Sequence, residues 1–398
     1  SFFCTLRFLA ALSHSFLPLP FPSFIPSAMS SRNNYRRYNP LLDEWVIVAA
    51  NRVNRPWQGT KSDAKAASGF SAVTGINALA PGGERANGKV TPEYDSVYVF
   101  ENDFPSFTHF PASVNKTSKD TDEDELFKQE EIHGECRVIC YHPNSEKSIA
   151  LMDETEVLAV VQLWCDQFNE LSRKWTYVQI FENRGAAVGS SNSHPHGQIW
   201  AGSFVPTLPQ RKDLTQKAYF ERHGRPLLLD YLEKELDRAK DPAENRVILL
   251  NEDWVVLVPF WALWPFETML LPRRHMRRMD ELTKSEKRSL AAILRQLMIK
   301  YDNIFECSFA FGMGWIGAPT PSGYQGSPEL AEDHYKYWQL HLLVHPPLLR
   351  SSSISKHMAG YEILAEPQRD ITPEMAAETI RSQSALHYTA ARNTIQKS

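Results

Sequence analysis

One order of elements is written twice along this chain, and that restricts it to a duplicated α+β fold. In the first half a strand-like Val138–His142 precedes an acidic start at Asp153, followed by apolar residues at helical spacing, Val157, Val160, Val161, Trp164, Phe168 and Leu171. In the second half Met269–Pro272, with His275 behind it, precedes Thr283-x-x-Glu286, which is a capping box. Its helix runs through Leu290, Ile293, Leu294, Leu297 and Tyr301. Each helix leads into a strand and then into a strand that carries histidine: His194 and His196 in one half, His341 in the other. The sequence self-similarity is faint, but the order matches. The expectation is two halves, each an antiparallel sheet flanked by helices, and 398 residues suffice for two cores.

The histidine strand of the first half carries the chemistry. Tyr177–Phe181 alternates and is rich in β-branched and aromatic residues, so it reads as a strand; Gly185 and Gly189 make a turn, and a second strand passes through Ile199 and Trp200. Residues two apart on a strand share a face, so His194, His196 and Gln198 are expected on one side. An imidazole that attacks phosphorus must be neutral. It also needs a hydrogen bond on its second nitrogen to fix the tautomer, and donors nearby for the phosphoryl oxygens. His196 fits the nucleophile, Gln198 an amide donor, and Gly189, Ser190 and Ser191 a turn of backbone and hydroxyl donors. A lone His-x-His pair also occurs on ordinary strands. The longer string from Asn183 through Gly185, Gly189, Ser191 and His194-Pro-His196-Gly-Gln198 is much more specific.

With these residues the chain resembles the galactose-1-phosphate uridylyltransferase family, a branch of the histidine-triad superfamily. The likeness also runs through Arg36–Leu41, Arg55–Gly59, the Ala-Asn-Gly-Lys-Val-Thr-Pro-Glu-Tyr segment, Phe100–Pro105, Val258–Thr268, Trp338–His341 and Gly360–Asp370. It implies duplicated histidine-triad-like halves, 29–206 with the catalytic motif and 207–398. It also implies a ping-pong exchange in which His196 takes UMP from UDP-glucose and galactose 1-phosphate then receives it. Carried over position by position, Asn183, Asn102 and Asp103 match nucleotide contacts. Lys356, Tyr361, Glu362 and Gln368 match sugar-phosphate contacts, with His357 standing where phenylalanine is usual. Arg52 and Arg55 match arginines that reach the nucleotide from the neighbouring subunit, which implies a homodimer with shared sites.

The departures concern metals. The family's zinc positions fall on Asn77, Ala80, Ser145 and His194, and its iron positions on Lys212, Ile316, His341 and Leu343. One imidazole in each set cannot hold a tetrahedral ion. The expectation is therefore an enzyme that requires neither zinc nor iron, with His194 the one zinc-ligand position retained, and His341 a hydrogen-bonded core or outer-sphere residue.

Composition excludes other classes. A formal net charge of −4 argues against a nucleic-acid surface and makes phosphate affinity local. The five cysteines form no C-x-x-C pair and no disulfide framework, which suits a reducing cytoplasm. Residues 1–28 are rich in Ser, Phe, Leu and Pro, and the prolines prevent a spanning helix. They read as a leader or a disordered extension outside the fold. Residues 60–90, 111–131 and 317–334 read as connections, and Thr372-Pro373-Glu374 as a helix start. Two other functions stay open: a histidine-triad transferase or phosphorylase acting on an adenine nucleotide, and a degenerate paralogue kept for binding.

Overall fold

The duplication is laid out in one sheet. A computed structural model of the chain describes residues 35–48, 75–107, 109, 126, 131–323 and 334–395. The leader 1–28, Arg52 and Arg55, and residues 60–74, 111–125, 127–130 and 324–333 of the three connections lie outside the described residues. In chain order the strands are β1 (Tyr35–Asn39), β2 (Glu44–Val48), β3 (Tyr98–Glu101), β4 (Gly134–Cys140), β5 (Tyr177–Arg184), β6 (His196–Gly202), β7 (Val247–Leu250), β8 (Trp254–Leu257), β9 (Thr268–Pro272), β10 (Phe311–Ile316), β11 (His341–His345), β12 (Leu348–Ser351), β13 (Ile354–Ser355) and β14 (Gln368–Arg369). The helices are α1 (Glu154–Leu171), α2 (Thr207–His223), α3 (Leu227–Arg238), α4 (Lys284–Ile304), α5 (Tyr361–Leu364), α6 (Pro373–Arg381) and α7 (Tyr388–Ile395).

Among the described residues, β3 to β11 form a nine-stranded sheet in the order β3-β4-β6-β5-β10-β11-β9-β8-β7. Every pairing in it is antiparallel. Outward from the β5–β10 seam, β6-β4-β3 on one side faces β11-β9-β8 on the other. The units β4-α1-β5-β6 and β9-α4-β10-β11 are therefore the two copies read from the sequence.

Both helices of the repeat begin as their sequences require. Asp153 and Thr283 are N-caps whose side chains accept from the backbone N–H of Glu156 and Glu286, and each glutamate returns the bond. Their apolar stripes pack on one face of the sheet with Ile180, Ile199, Leu270 and Trp315. The neighbouring strand residues point the other way. Val255, Leu257, Met269 and Leu271 join Leu227, Leu228 and Leu232 of α3 in a second cluster, as the period of two demands. Each fully buried aliphatic side chain contributes about 1.5–3 kcal/mol. Helix α6 starts at Thr372, whose hydroxyl caps Met375 N, with proline in the first turn.

Two strand ends differ from the sequence reading. β4 stops at Cys140 instead of running to His142, and β6 starts at His196 instead of including His194. Pro195 is the reason: it has no N–H for the ladder, and its carbonyl instead accepts from Tyr141 N at 2.9 Å. No helix among the described residues is long and apolar enough to cross a membrane.

Candidate active site

The turn between β5 and β6 is built from glycine conformations that other residues reach at a cost. Gly185 has φ 90° and Gly189 φ 80°, on either side of a single 3₁₀ turn at Ala186–Val188. A Cβ on Gly185 would also stand 3.0 Å from the Ala310 Cβ. Behind the turn, Ser190 Oγ donates to Asn192 O at 3.0 Å. Asn192 Oδ1 in turn accepts from His194 N at 2.9 Å and from Asn77 Nδ2 at 2.8 Å.

His196 opens β6, half-buried, and its Nδ1 donates to His194 O at 2.7 Å. That bond fixes the tautomer and leaves the Nε2 lone pair for chemistry. Burial holds the imidazole pKa below its ordinary value, the His194 carbonyl opposing in part. A neutral imidazole results. Gln198 follows on the same strand face, and its Oε1 accepts from Trp200 Nε1 at 3.1 Å, so the amide N–H₂ is left to donate. Between them Gly197 faces the helices. A Cβ there would lie 2.2 Å from Tyr141 Oη, so the strand and Tyr141 touch directly.

His194 precedes β6, which corrects the expectation of one strand carrying both imidazoles. It lies before the strand, 1% exposed, with Ser145 Oγ 2.9 Å from Nδ1 and Tyr94 Oη 2.7 Å from Nε2. Burial, with smaller repulsion from His196 and His142, brings its pKa down to about 4.

An open cleft of about 1310 Å³ brings Asn183, Ser190, His194, His196, Lys356 and His357 into one wall. Lys356 donates to the Glu362 carboxylate and the Gln368 carbonyl, and Gln368 N donates to Glu362 Oε1 at 3.2 Å. Glu362 and Gln368 thus hold Lys356 at the cleft edge. Tyr361 projects from α5, 61% exposed. Asn102 and Asp103 stand outside this wall, Asn102 bonded within its own loop and Asp103 to the segment at Arg85 and Asn87. Asn102 Oδ1 accepts from Phe104 N at 2.9 Å, and Asp103 Oδ1 accepts from Asn87 Nδ2 at 2.6 Å beside Arg85. Gly189 and Ser191 flank Ser190 in the turn without lining the wall. A second cavity of about 560 Å³, lined by Phe181, Trp200, Met269 and Leu343, contains none of these residues.

The sequence reading assigned no role to Tyr94, Tyr141, Glu182 or Asn192. Tyr94 closes the Ala-Asn-Gly-Lys-Val-Thr-Pro-Glu-Tyr segment, and only the fold brings it to His194. Glu182 is 7% exposed beside Tyr141, its pKa pushed up to about 7 by burial against the pull of Arg184.

Neither implied metal fits the residues present. At the zinc positions both ring nitrogens of His194 are occupied by hydroxyls, and Asn77, Ala80 and Ser145 offer an amide, a methyl and a hydroxyl. At the iron positions Ile316 pairs with His341 across β10–β11, and Lys212 Nζ already stands 3.4 Å from His341 Nε2. Among the described residues no three His, Cys, Asp or Glu side chains cluster to hold an ion.

Comparison with known proteins bears on this geometry. The family model "Galactose-1-phosphate uridyl transferase, N-terminal domain" matches residues 26–206, and the corresponding C-terminal domain model matches 212–392. The chain is 45% identical over 362 residues to a probable galactose-1-phosphate uridylyltransferase of Drosophila melanogaster, covering 90% of this chain and 98% of that one. Among solved structures, a uridylyltransferase superposes with a TM-score of 0.65 at 22% identity, over 87% of this chain and 97% of the other. An ADP-glucose phosphorylase from Arabidopsis thaliana gives 0.64 at 20% identity, over 88% and 100%. These two share the fold, and the fold alone does not choose between the bases.

Proposed function

The chain belongs to the galactose-1-phosphate uridylyltransferase family, and from that premise we propose that His196 is the nucleophile of its uridylyl exchange. The enzyme moves UMP between UDP-glucose and galactose 1-phosphate, giving glucose 1-phosphate and UDP-galactose. The observation that carries the assignment is the His196 Nδ1 to His194 O bond of 2.7 Å. In the first half-reaction the Nε2 lone pair forms a P–N bond to the α-phosphorus, and the P–O bond to glucose 1-phosphate breaks. The uridylylated ring becomes an imidazolium, and the His194 carbonyl accepting its Nδ1–H stabilises that charge. In the second half-reaction a phosphate oxygen of galactose 1-phosphate attacks phosphorus, and the electron pair of the P–N bond returns to Nε2.

The other groups have separate tasks. Gln198, with its oxygen held by Trp200, donates its amide to the phosphoryl oxygens, joined by Ser190, Ser191 and the Gly189 turn. Asn183, Asn102 and Asp103 contact the nucleotide, the carboxylate of Asp103 suiting ribose hydroxyls. Lys356, His357, Tyr361, Glu362 and Gln368 form the sugar-phosphate end. Arg52 and Arg55 complete the neighbouring subunit's site in a homodimer. Free thiols at Cys136, Cys140, Cys165 and Cys307 are in keeping with a cytoplasmic enzyme.

Mass spectrometry after incubation with UDP-glucose alone tests the reading. The wild type gains a UMP increment, and His196→Ala loses both the increment and the exchange; an alanine variant that still gains UMP would overturn it. ADP-glucose in parallel leaves the wild type unmodified. Mixing Arg55→Ala with His196→Ala chains restores partial activity through the one intact site of each heterodimer, and no recovery would remove the shared-site proposal.

A further inference from the structure

We infer that Tyr94 and Ser145 are positioning residues for His196, their two hydroxyls clamping the His194 ring in the place where a metal ion would otherwise fix it. This rests on His196 being the nucleophile.

Hydrogen-bond directions in the cluster follow from what each atom can do. Tyr94 Oη is 2.8 Å from Leu79 O, which can only accept, so the phenolic hydrogen goes there. Oη then accepts from His194 Nε2–H at 2.7 Å. A neutral ring with hydrogen on Nε2 has its lone pair on Nδ1, and Ser145 Oγ donates to it at 2.9 Å. The His194 backbone is pinned as well, its N–H donating to Asn192 Oδ1, which Asn77 Nδ2 also holds. Pro195 confines the residue before it to extended backbone. With ring, N–H and backbone all held, the carbonyl of His194 has one direction, toward Nδ1 of His196. The cluster therefore sets the tautomer of a ring it does not touch.

A metal cannot share this arrangement. The one lone pair His194 could offer, on Nδ1, is already taken by Ser145, and Asn77 spends its amide on Asn192. The hydroxyl clamp thus takes over the orienting task that outer groups perform at metal sites. Gly83 packs the same loop from behind: a Cβ there would lie 2.0 Å from Asn77 O.

The experiment compares the full-length wild type with Tyr94→Phe, Ser145→Ala and Ser145→Thr. Nitrogen NMR of isotopically labelled histidines, thermal midpoints, kcat, KM and metal content are measured together. Loss of such supporting bonds costs about 10–100-fold, and the loss should fall on kcat with KM little changed. In Tyr94→Phe and Ser145→Ala the His196 ring should shift from a single Nδ1–H tautomer to a mixture, and Ser145→Thr should restore both tautomer and rate. Folded Tyr94→Phe and Ser145→Ala proteins with one His196 tautomer and wild-type kcat would overturn the inference. So would near-stoichiometric zinc whose removal changes the His194 signals. The tautomer readout does not depend on UMP transfer, so a failed nucleophile assignment, shown by an adduct on His196→Ala, is distinguishable from a failed clamp.

Discussion

Replacing Glu182 by glutamine should make the protein more resistant to denaturation in mildly alkaline buffer and leave it nearly unchanged in mildly acidic buffer. Glu182 is on β5, 7% exposed, with Oε2 making no hydrogen bond among the described residues. Its neighbour Arg184 is already committed to both carboxylate oxygens of Asp302 at 2.8 and 2.9 Å, so it attracts Glu182 only through space. Burial therefore dominates and raises the carboxyl pKa from 4.5 to about 7. The sign follows from linkage. Between those two values the native state holds a proton that the unfolded state has released, so native stability declines as pH rises through that window. It is fully present below the unfolded pKa. At about 1.4 kcal/mol for each pH unit the decline reaches about 3 kcal/mol, a ceiling that local relaxation reduces. Glutamine keeps the shape without the titration, so the variant should match the wild type to within about 1 kcal/mol at about pH 5 and exceed it by about 1–3 kcal/mol at about pH 8. Denaturant midpoints at the two pH values measure this, and infrared difference spectra should show a protonated carboxyl that the variant lacks. A wild-type-minus-variant difference that does not change with pH would refute the reasoning.

Three further outcomes follow from the same geometry. On the proposed mechanism, formation of the UMP adduct from UDP-glucose requires neutral His196, whose pKa burial lowers from 6.5, so the rate should stay level as pH falls past 6.5. A midpoint of the acid limb at or above that value counts against the burial argument. Gly197→Ala forces a methyl to within 2.2 Å of Tyr141 Oη and should cost about 1–3 kcal/mol through overpacking, with a rate loss of up to about 100-fold as His196 moves. Tyr141→Phe in the same chain should return part of both, and strict additivity in that double mutant would show that the two groups do not collide. Asp302→Ala leaves the Arg184 guanidinium unpaired beneath the catalytic turn and should cost about 3–5 kcal/mol. A thermal midpoint unchanged from wild type would contradict the buried pair seen here.

What was legible in advance had a local cause. Period and caps announced α1 and α4, because an apolar stripe and a reciprocal Asp153–Glu156 or Thr283–Glu286 bond are written within a few residues. The glycine turn and the strands on either side of it were visible for the same reason. His194 was misplaced because alternation was extended through Pro195, whose missing N–H stops the ladder one residue later. Tyr94 was not visible at all. It lies 100 residues from His194 in the chain, and a tyrosine between proline-rich and aromatic segments carries no sign of its partner. Likewise the proximity of Lys356 to His196 depends on how β12, β13 and α5 fold back against the first half, which no spacing encodes. Substitution at the metal positions could be read directly, but the hydroxyl bonds that His194 makes there needed coordinates.

The two halves differ in a way that supports the proposed nucleophile. His196 and His341 each begin the corresponding strand of their repeat, and each gives its Nδ1–H to the carbonyl two residues back, at 2.7 Å to His194 and 3.0 Å to Gln339. The tautomer-setting device is therefore duplicated along with the fold. What differs is the other nitrogen. His196 lines an open cleft of about 1310 Å³, whereas Nε2 of His341 meets the Lys212 amine from α2 in a ring fully cut off from solvent. A lone pair engaged by an amine and denied any approach path cannot attack phosphorus, so the second copy retains the geometry without the reactivity. Freed from chemistry, its following segment supplies the cleft with Lys356, held by Glu362 and Gln368, and His357. On the proposed mechanism the duplication provides one nucleophile and one substrate wall, joined through a continuous ladder at β5–β10.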